Sequence, residues 1–173
     1  MENLNTDKTD DRNTKDLLFL AGRYCTFLEN TDAFSESQIT EYLVQLLAML
    51  YVKGTMIPAF EIEDNSACEQ FLTEEQYESV YLRLKEKIKD IDFFESYDRD
   101  LNETQTQSVC ELLVDIYQDM KNFVLGYGKN RQSTQEGALW MVKDVFPLKW
   151  GKYISILLPY LHDLVYAANK EIE

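Results

Sequence analysis

Apolar side chains recur at steps of three and four residues along most of the chain, which is the spacing of one face of an α-helix. The clearest run takes steps of four, three, four, three and four through Val109, Leu113, Ile116, Met120, Phe123 and Tyr127. Comparable runs predict five more helices: from Lys15, after Ser35 or Ser37, after Thr73, from about Ser133 to Phe146, and from Pro147 onward. No stretch of strand length alternates between apolar and polar residues and ends in hairpin turns. The pattern therefore predicts an all-α protein.

The predicted helices are expected to form one domain. Residues 1–13 are polar and charged, with Leu4 as the one residue to bury, so we expect a disordered leader. Residues 14–173 are then a single all-helical domain, a bundle of about six helices, mostly antiparallel. A chain of 173 residues is long enough for one core of this kind.

Several helix boundaries can be predicted from their residue types. Ser35 or Ser37 is a plausible N-cap for the second helix, which should end before Pro58. Thr73 and Gln76 have the spacing of a capping box at the start of the third helix. Acidic connections are predicted near residues 59–71 and 90–103. Because the second helix is apolar most of the way round, we expect it to be central in the bundle.

The last predicted helix contains unusual residues, in the stretch KWGKYISILLPYLHDLVY from Lys149 to Tyr166. Its inward stripe is predicted to be Tyr153, Leu157, Tyr160 and Leu164. Pro159 has no N–H to donate, so a kink or an early helix break is expected there.

Two residues of this helix form a candidate interaction surface. His162, the chain's one histidine, falls nearly opposite the inward stripe and is expected to face solvent or its boundary. Trp150 is expected to cover the end of the bundle. We predict that Trp150 and His162 together offer a surface to a partner.

The charge of the chain narrows the choice of partners. There are 17 Lys and Arg against 31 Asp and Glu, so the net charge is 17 − 31 = −14. A surface this acidic repels phosphate groups, which disfavours direct nucleic-acid and anionic-membrane binding and favours a basic protein partner.

The cysteine pattern and the N-terminal residues bear on the compartment. Three cysteines, Cys25, Cys68 and Cys110, are widely spaced, which is typical of a reducing compartment. The N-terminal residues contain no apolar secretory segment, and the longest apolar run, Leu43–Val52, is about half of what a bilayer crossing needs. We therefore expect a cytoplasmic protein.

No cofactor is predicted from the ligand-forming residues. A single histidine excludes the di-iron bundle site, and the cysteines lack the paired spacing of a zinc site. A calcium loop starting at Asp98 fails, because Glu103 and Val109 occupy the positions that need glycine and glutamate. His162 as a base with Cys25 or Cys110 as the nucleophile is disfavoured by the outward position of the histidine.

One carboxylate pattern supports an enzymatic alternative. Glu75 and Glu78 read ExxE, and Glu95 and Asp98 read ExxD. This resembles the metal-binding pattern of the all-helical nucleoside triphosphate pyrophosphohydrolases of the MazG type. The resemblance implies a magnesium ion held by these four residues for attack on a phosphate.

Asp119 is a candidate for a structural polar contact. Together with Glu111 and Asp115 it follows steps of four along the fourth helix, and it lies nearest the apolar border beside Leu112. We expect it to accept a hydrogen bond from a tyrosine or tryptophan across the bundle, because buried polar groups need partners.

Several stretches together resemble an uncharacterised bacterial family, the domain-of-unknown-function group DUF 5063. They are RYCTFLEN at Arg23–Asn30, LLAMLYVKG at Leu46–Gly54, FLTEEQY at Phe71–Tyr77, DIYQDMKNFV at Asp115–Val124 and WGKYISILLPYLH at Trp150–His162. The resemblance covers most of the chain after the leader. It implies a small, soluble, all-helical domain and carries no catalytic residue with it.

These observations favour a non-enzymatic interaction or accessory protein that binds another macromolecule, most readily a basic protein. The magnesium-dependent pyrophosphohydrolase is the alternative. Convergence of the four carboxylates in the structure distinguishes the two.

Overall fold

The regular elements of the described part of the chain are six α-helices, one two-stranded hairpin and two single-turn 3₁₀ helices at Thr31–Ala33 and Asn65–Ala67. The structure is a computed structural model and describes residues 9–62, 65–99 and 101–167. In chain order the elements are α1 (Arg12–Glu29), α2 (Glu36–Met56), α3 (Glu74–Lys87), β1 (Phe93–Asp98), β2 (Glu103–Ser108), α4 (Val109–Tyr127), α5 (Gln132–Asp144) and α6 (Trp150–Tyr166). The predicted bundle of about six helices is confirmed.

The N-terminal boundary differs from the prediction. Helix α1 begins at Arg12, where the Asp11 carboxylate caps it by accepting the backbone N–H of Asn13 at 2.8 Å. Thr9 is buried, and its carbonyl accepts the hydroxyl of Tyr127. Residues 9–13 of the predicted leader are thus structured. The predicted disorder of residues 1–8 lies outside the described residues.

The hairpin was not expected, because the sequence predicted an irregular acidic connection there. Its strands are antiparallel, with Phe93 opposite Ser108 and Asp98 opposite Glu103. Strand β2 reads ETQTQS and has no apolar residue, so apolar alternation cannot reveal it. Asn102 in the connecting turn takes a φ of 55°, a left-handed conformation that asparagine tolerates. The chain is predominantly helical, as predicted, and this small hairpin is an addition that the apolar pattern did not reveal.

Two capping boxes are present, the one predicted at Thr73 and a second at Ser35, which was predicted only as one of two possible N-caps. The Ser35 hydroxyl accepts the N–H of Gln38 at 3.3 Å, and the Gln38 side chain accepts the N–H of Ser35 at 3.0 Å. Thr73 and Gln76 make the same pair of bonds, at 3.3 and 3.2 Å. Each box satisfies amide groups that have no partner within the helix.

The core is organised around α4 rather than α2. Helix α4 contacts α1, α3, α5 and α6. The buried hydroxyl of Tyr24 in α1 donates to the Leu113 carbonyl of α4 at 2.8 Å. Helix α2 packs against α1 and α6 with one side and leaves the other side open, so its predicted central position was wrong.

The register of α6 also differs from the prediction. The buried stripe is Gly151, Ile154, Leu157 and Leu161, whereas Tyr153, Tyr160 and Leu164 are half-buried. The Tyr160 ring stacks on Phe94 of the hairpin at 4.6 Å, and its hydroxyl donates to the Ile91 carbonyl. The predicted early break is absent, because α6 continues through Pro159 to Tyr166.

Candidate functional site

The outward side of α2 carries an unusual amount of exposed apolar surface. Four of its large apolar side chains are exposed, by 47% at Met49, 37% at Tyr51, 54% at Val52 and 47% at Met56. We call these four residues the α2 ridge. A helix that is apolar all round is normally covered on every side. Here only the side with Leu43, Leu46, Leu47 and Leu50 is covered by the described residues.

A groove separates the α2 ridge from α6. It has a volume of about 590 Å³, and its apolar walls are Val44 and Ala48 from α2 and Leu158 and Pro159 from α6. Tyr51, Ser155 and His162 also line it. We call it the His162 groove. Its lining is largely apolar and includes a phenol and an imidazole, which suits an amphipathic partner.

A second groove lies on the other side of α2, against α1, with a volume of about 880 Å³. Its aromatic floor is formed by Phe27, whose ring centroid lies 5.1 Å from that of Phe34 and 4.4 Å from that of Tyr42. Arg23 crosses it and donates from Nε and Nη2 to the Tyr42 hydroxyl, at 3.2 and 3.1 Å. We call it the Arg23 groove.

Beyond Phe19 lies a further space of about 450 Å³, which we count as the second part of the Arg23 groove. This part is almost entirely apolar, with Leu20, Ala48, Met49 and Val52 in its walls. The Phe19 side chain, 64% exposed, borders both parts. Helix α2 therefore presents a ridge with an apolar groove on either side.

The predicted surface of Trp150 and His162 is not formed, because Trp150 is 0% exposed. Its indole N–H donates to the Val142 carbonyl at 2.7 Å, and its ring packs edge-on against Phe146 at 4.5 Å. Glycines at positions 54 and 151 leave room for this aromatic pair. Trp150 is thus part of the core, and the prediction that it faces a partner was wrong.

His162 does lie at the surface, as its position opposite the buried stripe suggested. Its ring is exposed and lies 4.7 Å from that of Tyr166, one turn further along α6. Of the two residues predicted to contact a partner, only His162 is accessible.

Asp119 makes a polar contact, but with a lysine rather than a tyrosine or tryptophan. Its Oδ1 accepts from Lys149 Nζ at 2.9 Å, and its side chain is only 12% exposed. The other oxygen, Oδ2, is buried without a hydrogen-bond partner among the described residues. Burial raises the pKa of the carboxyl, an effect that the nearby ammonium only partly offsets.

The four carboxylates of the enzymatic alternative do not converge. Glu75 and Glu78 are exposed on α3, whereas Glu95 and Asp98 lie on β1. Across the described ranges 9–62, 65–99 and 101–167, no three His, Cys, Asp or Glu side chains are grouped so as to hold a metal ion. The arrangement that a magnesium-dependent pyrophosphohydrolase needs is therefore missing from this part of the chain.

The two cysteines considered as nucleophiles are placed in the core. Burial raises the pKa of both Cys25 and Cys110 to about 12, which keeps them as unreactive thiols. His162 lies on the surface of α6, away from this core. The pairing of His162 with a nucleophilic cysteine, disfavoured from the sequence, is not assembled.

Sequence reasoning missed the α2 ridge and its two grooves. The available sign was the apolar character of α2 around its whole circumference, which led to the wrong expectation of a central helix. Within the described residues, no helix is long and apolar enough to cross a membrane.

The fold and its surface define a small helical domain with an open apolar face. The chain belongs to the family DUF5063, described as a domain of unknown function, whose model matches residues 8–167. The crystal structure of protein BF1032 from Bacteroides fragilis is similar, with a TM-score of 0.82 and 26% identity over 92% of this chain and 96% of that one. No curated protein sequence matches this chain.

Proposed function

We propose that this is a non-enzymatic interaction protein that binds a segment of another protein across the α2 ridge and in the His162 groove. The observation that carries the proposal is that four large apolar side chains of one helix, Met49, Tyr51, Val52 and Met56, are exposed beside an apolar groove. Single exposed apolar residues are ordinary on a protein surface, but several on one helix beside a groove are typical of a binding site.

The side chains of the ridge suit this role. Met49 and Met56 are flexible and polarisable, so they adapt to the shape of a partner. Tyr51 offers a large apolar ring with a hydroxyl at its tip, a residue type that often contributes most of the energy of an interface.

The charge of the chain supports a basic partner. With a net charge of −14, the protein attracts a segment that carries Lys or Arg beside its apolar residues and repels nucleic acid and anionic membranes. We therefore propose an amphipathic helix with basic flanks as the partner segment, packed along the His162 groove. Buried cysteine thiols support a cytoplasmic location.

Site-specific crosslinking in the native cell tests the proposal. A photoreactive p-benzoylphenylalanine replaces Tyr51 in one variant, His162 in a second and Leu82 in a control. Leu82 is 57% exposed but lies on α3. We expect the first two variants to capture the same protein through the same peptide. The Leu82 control is expected not to capture that protein.

Three results would count against this assignment. Equal capture from Leu82 would indicate non-specific adhesion. Crosslinks between two copies of this chain would make the face a self-association surface. Capture of nucleic acid or lipid would show that the partner is not a protein.

A further inference from the structure

The Arg23 groove changes character along its length. Near the start of α2 it presents polar groups from Arg23, Gln38 and Tyr42. Past Phe19 the walls are apolar. The two charged residues there, Asp16 and Lys53, form an ion pair with each other at 2.7 Å. A groove with a polar end and an apolar end matches a ligand that is polar at one end and apolar at the other.

Gly22 is unusual among the helical glycines of this chain. A Cβ built at glycines 54, 126, 137 or 151 would come within 2.3 to 2.7 Å of a neighbouring atom, so packing accounts for those four. At Gly22 nothing lies within 4 Å. A glycine inside an exposed helix costs about 1 kcal/mol relative to alanine. Packing within the chain therefore does not explain why position 22 is a glycine. Gly22 lines the groove, so the absence of a side chain there keeps the groove wall open.

Arg23 has no carboxylate partner within 4.0 Å among the described residues, although the chain contains 31 Asp and Glu. Nε and Nη2 share the single Tyr42 oxygen, which leaves guanidinium N–H groups for a further acceptor. The guanidinium also lies 5.8 Å from the centre of the Phe19 ring. The phenol and this ring hold the cation in position at the polar end of the groove.

We propose that the Arg23 groove binds a small anionic amphiphile, a molecule with one anionic head and a single apolar chain. The head binds the Arg23 guanidinium beside the Tyr42 hydroxyl. The chain passes the open wall at Gly22 and lies along the apolar part between Leu20 and Val52. Glu41 also lines the polar end and weakens the binding of an anion.

This site lies on the other side of α2 from the His162 groove. It shares Met49 and Val52 with the α2 ridge but includes neither Tyr51 nor His162. Decanoate and decanol are suitable probes, since they share one chain and differ in the charge of the head. Their binding is followed by displacement of phenylnaphthylamine, a neutral dye that fluoresces on apolar surfaces, and by calorimetry.

The wild-type protein is expected to bind decanoate more tightly than decanol. Arg23→Gln should weaken the binding of decanoate about five- to tenfold, because charge-assisted hydrogen bonds are lost, and should leave the binding of decanol unchanged. Glu41→Gln should strengthen decanoate about twofold. Gly22→Leu places a side chain in the groove and should weaken both probes. Two controls, Leu82→Ser on α3 and Phe93→Ser on the hairpin, change exposed apolar residues outside both grooves and should alter neither affinity.

Other results would overturn the proposal. If the wild type does not bind decanoate, or if Arg23→Gln keeps the same preference for decanoate over decanol, Arg23 does not form an anion site. Loss of binding in Phe93→Ser would place the probe on the hairpin. Retention on phosphatidylglycerol vesicles without binding of free decanoate would indicate a membrane surface instead. None of these results depends on the crosslinking from Tyr51, so either proposal can fail alone.

Discussion

Gly54→Ala is a sharp test of how α2, α6 and the α5–α6 connection pack together. A Cβ at position 54 would come within 2.3 Å of the Trp150 ring and 2.6 Å of the Phe146 ring. Contacts below 3.0 Å do not persist, so one of the rings must move. Trp150 is fully buried, and its indole N–H is held by the Val142 carbonyl at 2.7 Å. The structure therefore has little freedom to relax.

The expected loss of stability follows from two opposing effects. Overpacking of a buried site costs about 1–3 kcal/mol, and this contact belongs at the upper end because both rings are constrained. Alanine regains about 1 kcal/mol of helix propensity. The free energy of unfolding should fall by about 2 kcal/mol, which for a chain of this length lowers Tm by about 4–8 °C.

Gly22→Ala is the matched control, because its Cβ meets open space in another helix of the same protein. It should raise the free energy of unfolding by up to about 1 kcal/mol. Urea unfolding followed by circular dichroism measures both variants against the wild type. A Gly54→Ala protein as stable as the wild type would refute the packing described for Trp150, as would equal shifts in the two variants.

Three further predictions concern single side chains. Because the folded-state pKa of Asp119 is raised, the native state holds its proton more tightly than the unfolded state. Its contribution to stability is greatest below the unfolded pKa and is lost as pH rises through the folded pKa. Relative to the wild type, the unfolding free energy of Asp119→Asn should therefore increase from pH 3 to pH 7. A difference that stays constant with pH would contradict the raised pKa of Asp119. Asn122→Ala removes the side-chain oxygen that accepts two backbone N–H groups, at 2.7 and 2.9 Å. It should lower the free energy of unfolding in urea by about 2 kcal/mol, and a decrease of less than about 0.5 kcal/mol would be inconsistent with these bonds. Cys25 and Cys110, each with a pKa of about 12, should react with a thiol reagent only on unfolding, as mass spectrometry of the labelled peptides would show; labelling of the native protein would contradict their burial.

Helix positions were largely predictable because their chemistry is local. The capping box at Thr73 and the N-cap at Ser35 depend on residues within three positions of each other, and both form as expected. The hairpin was not predictable in this way. Strand β2 is polar throughout, and β1 begins with two adjacent phenylalanines, so neither strand shows apolar alternation.

The errors on α6 and α2 arise from tertiary packing. Both possible stripes of α6 contain apolar residues, and the choice of Ile154 and Leu161 over Tyr153 and Leu164 depends on what the neighbouring helices present. Trp150 enters the core because distant Gly54 leaves space for its ring. An apolar circumference on α2 is equally compatible with a central helix and with an open binding face, and only the fold decides between them.

The most direct test of the central proposal is the affinity of the captured partner segment for ridge variants. Tyr51→Asp should weaken binding of that synthetic segment about thirtyfold, as loss of about 2 kcal/mol at an interface residue implies. Leu82→Asp, with the same change of charge on α3, should bind as the wild type does in fluorescence anisotropy. Equal affinities for Tyr51→Asp and wild type would show that the α2 ridge is not the binding surface.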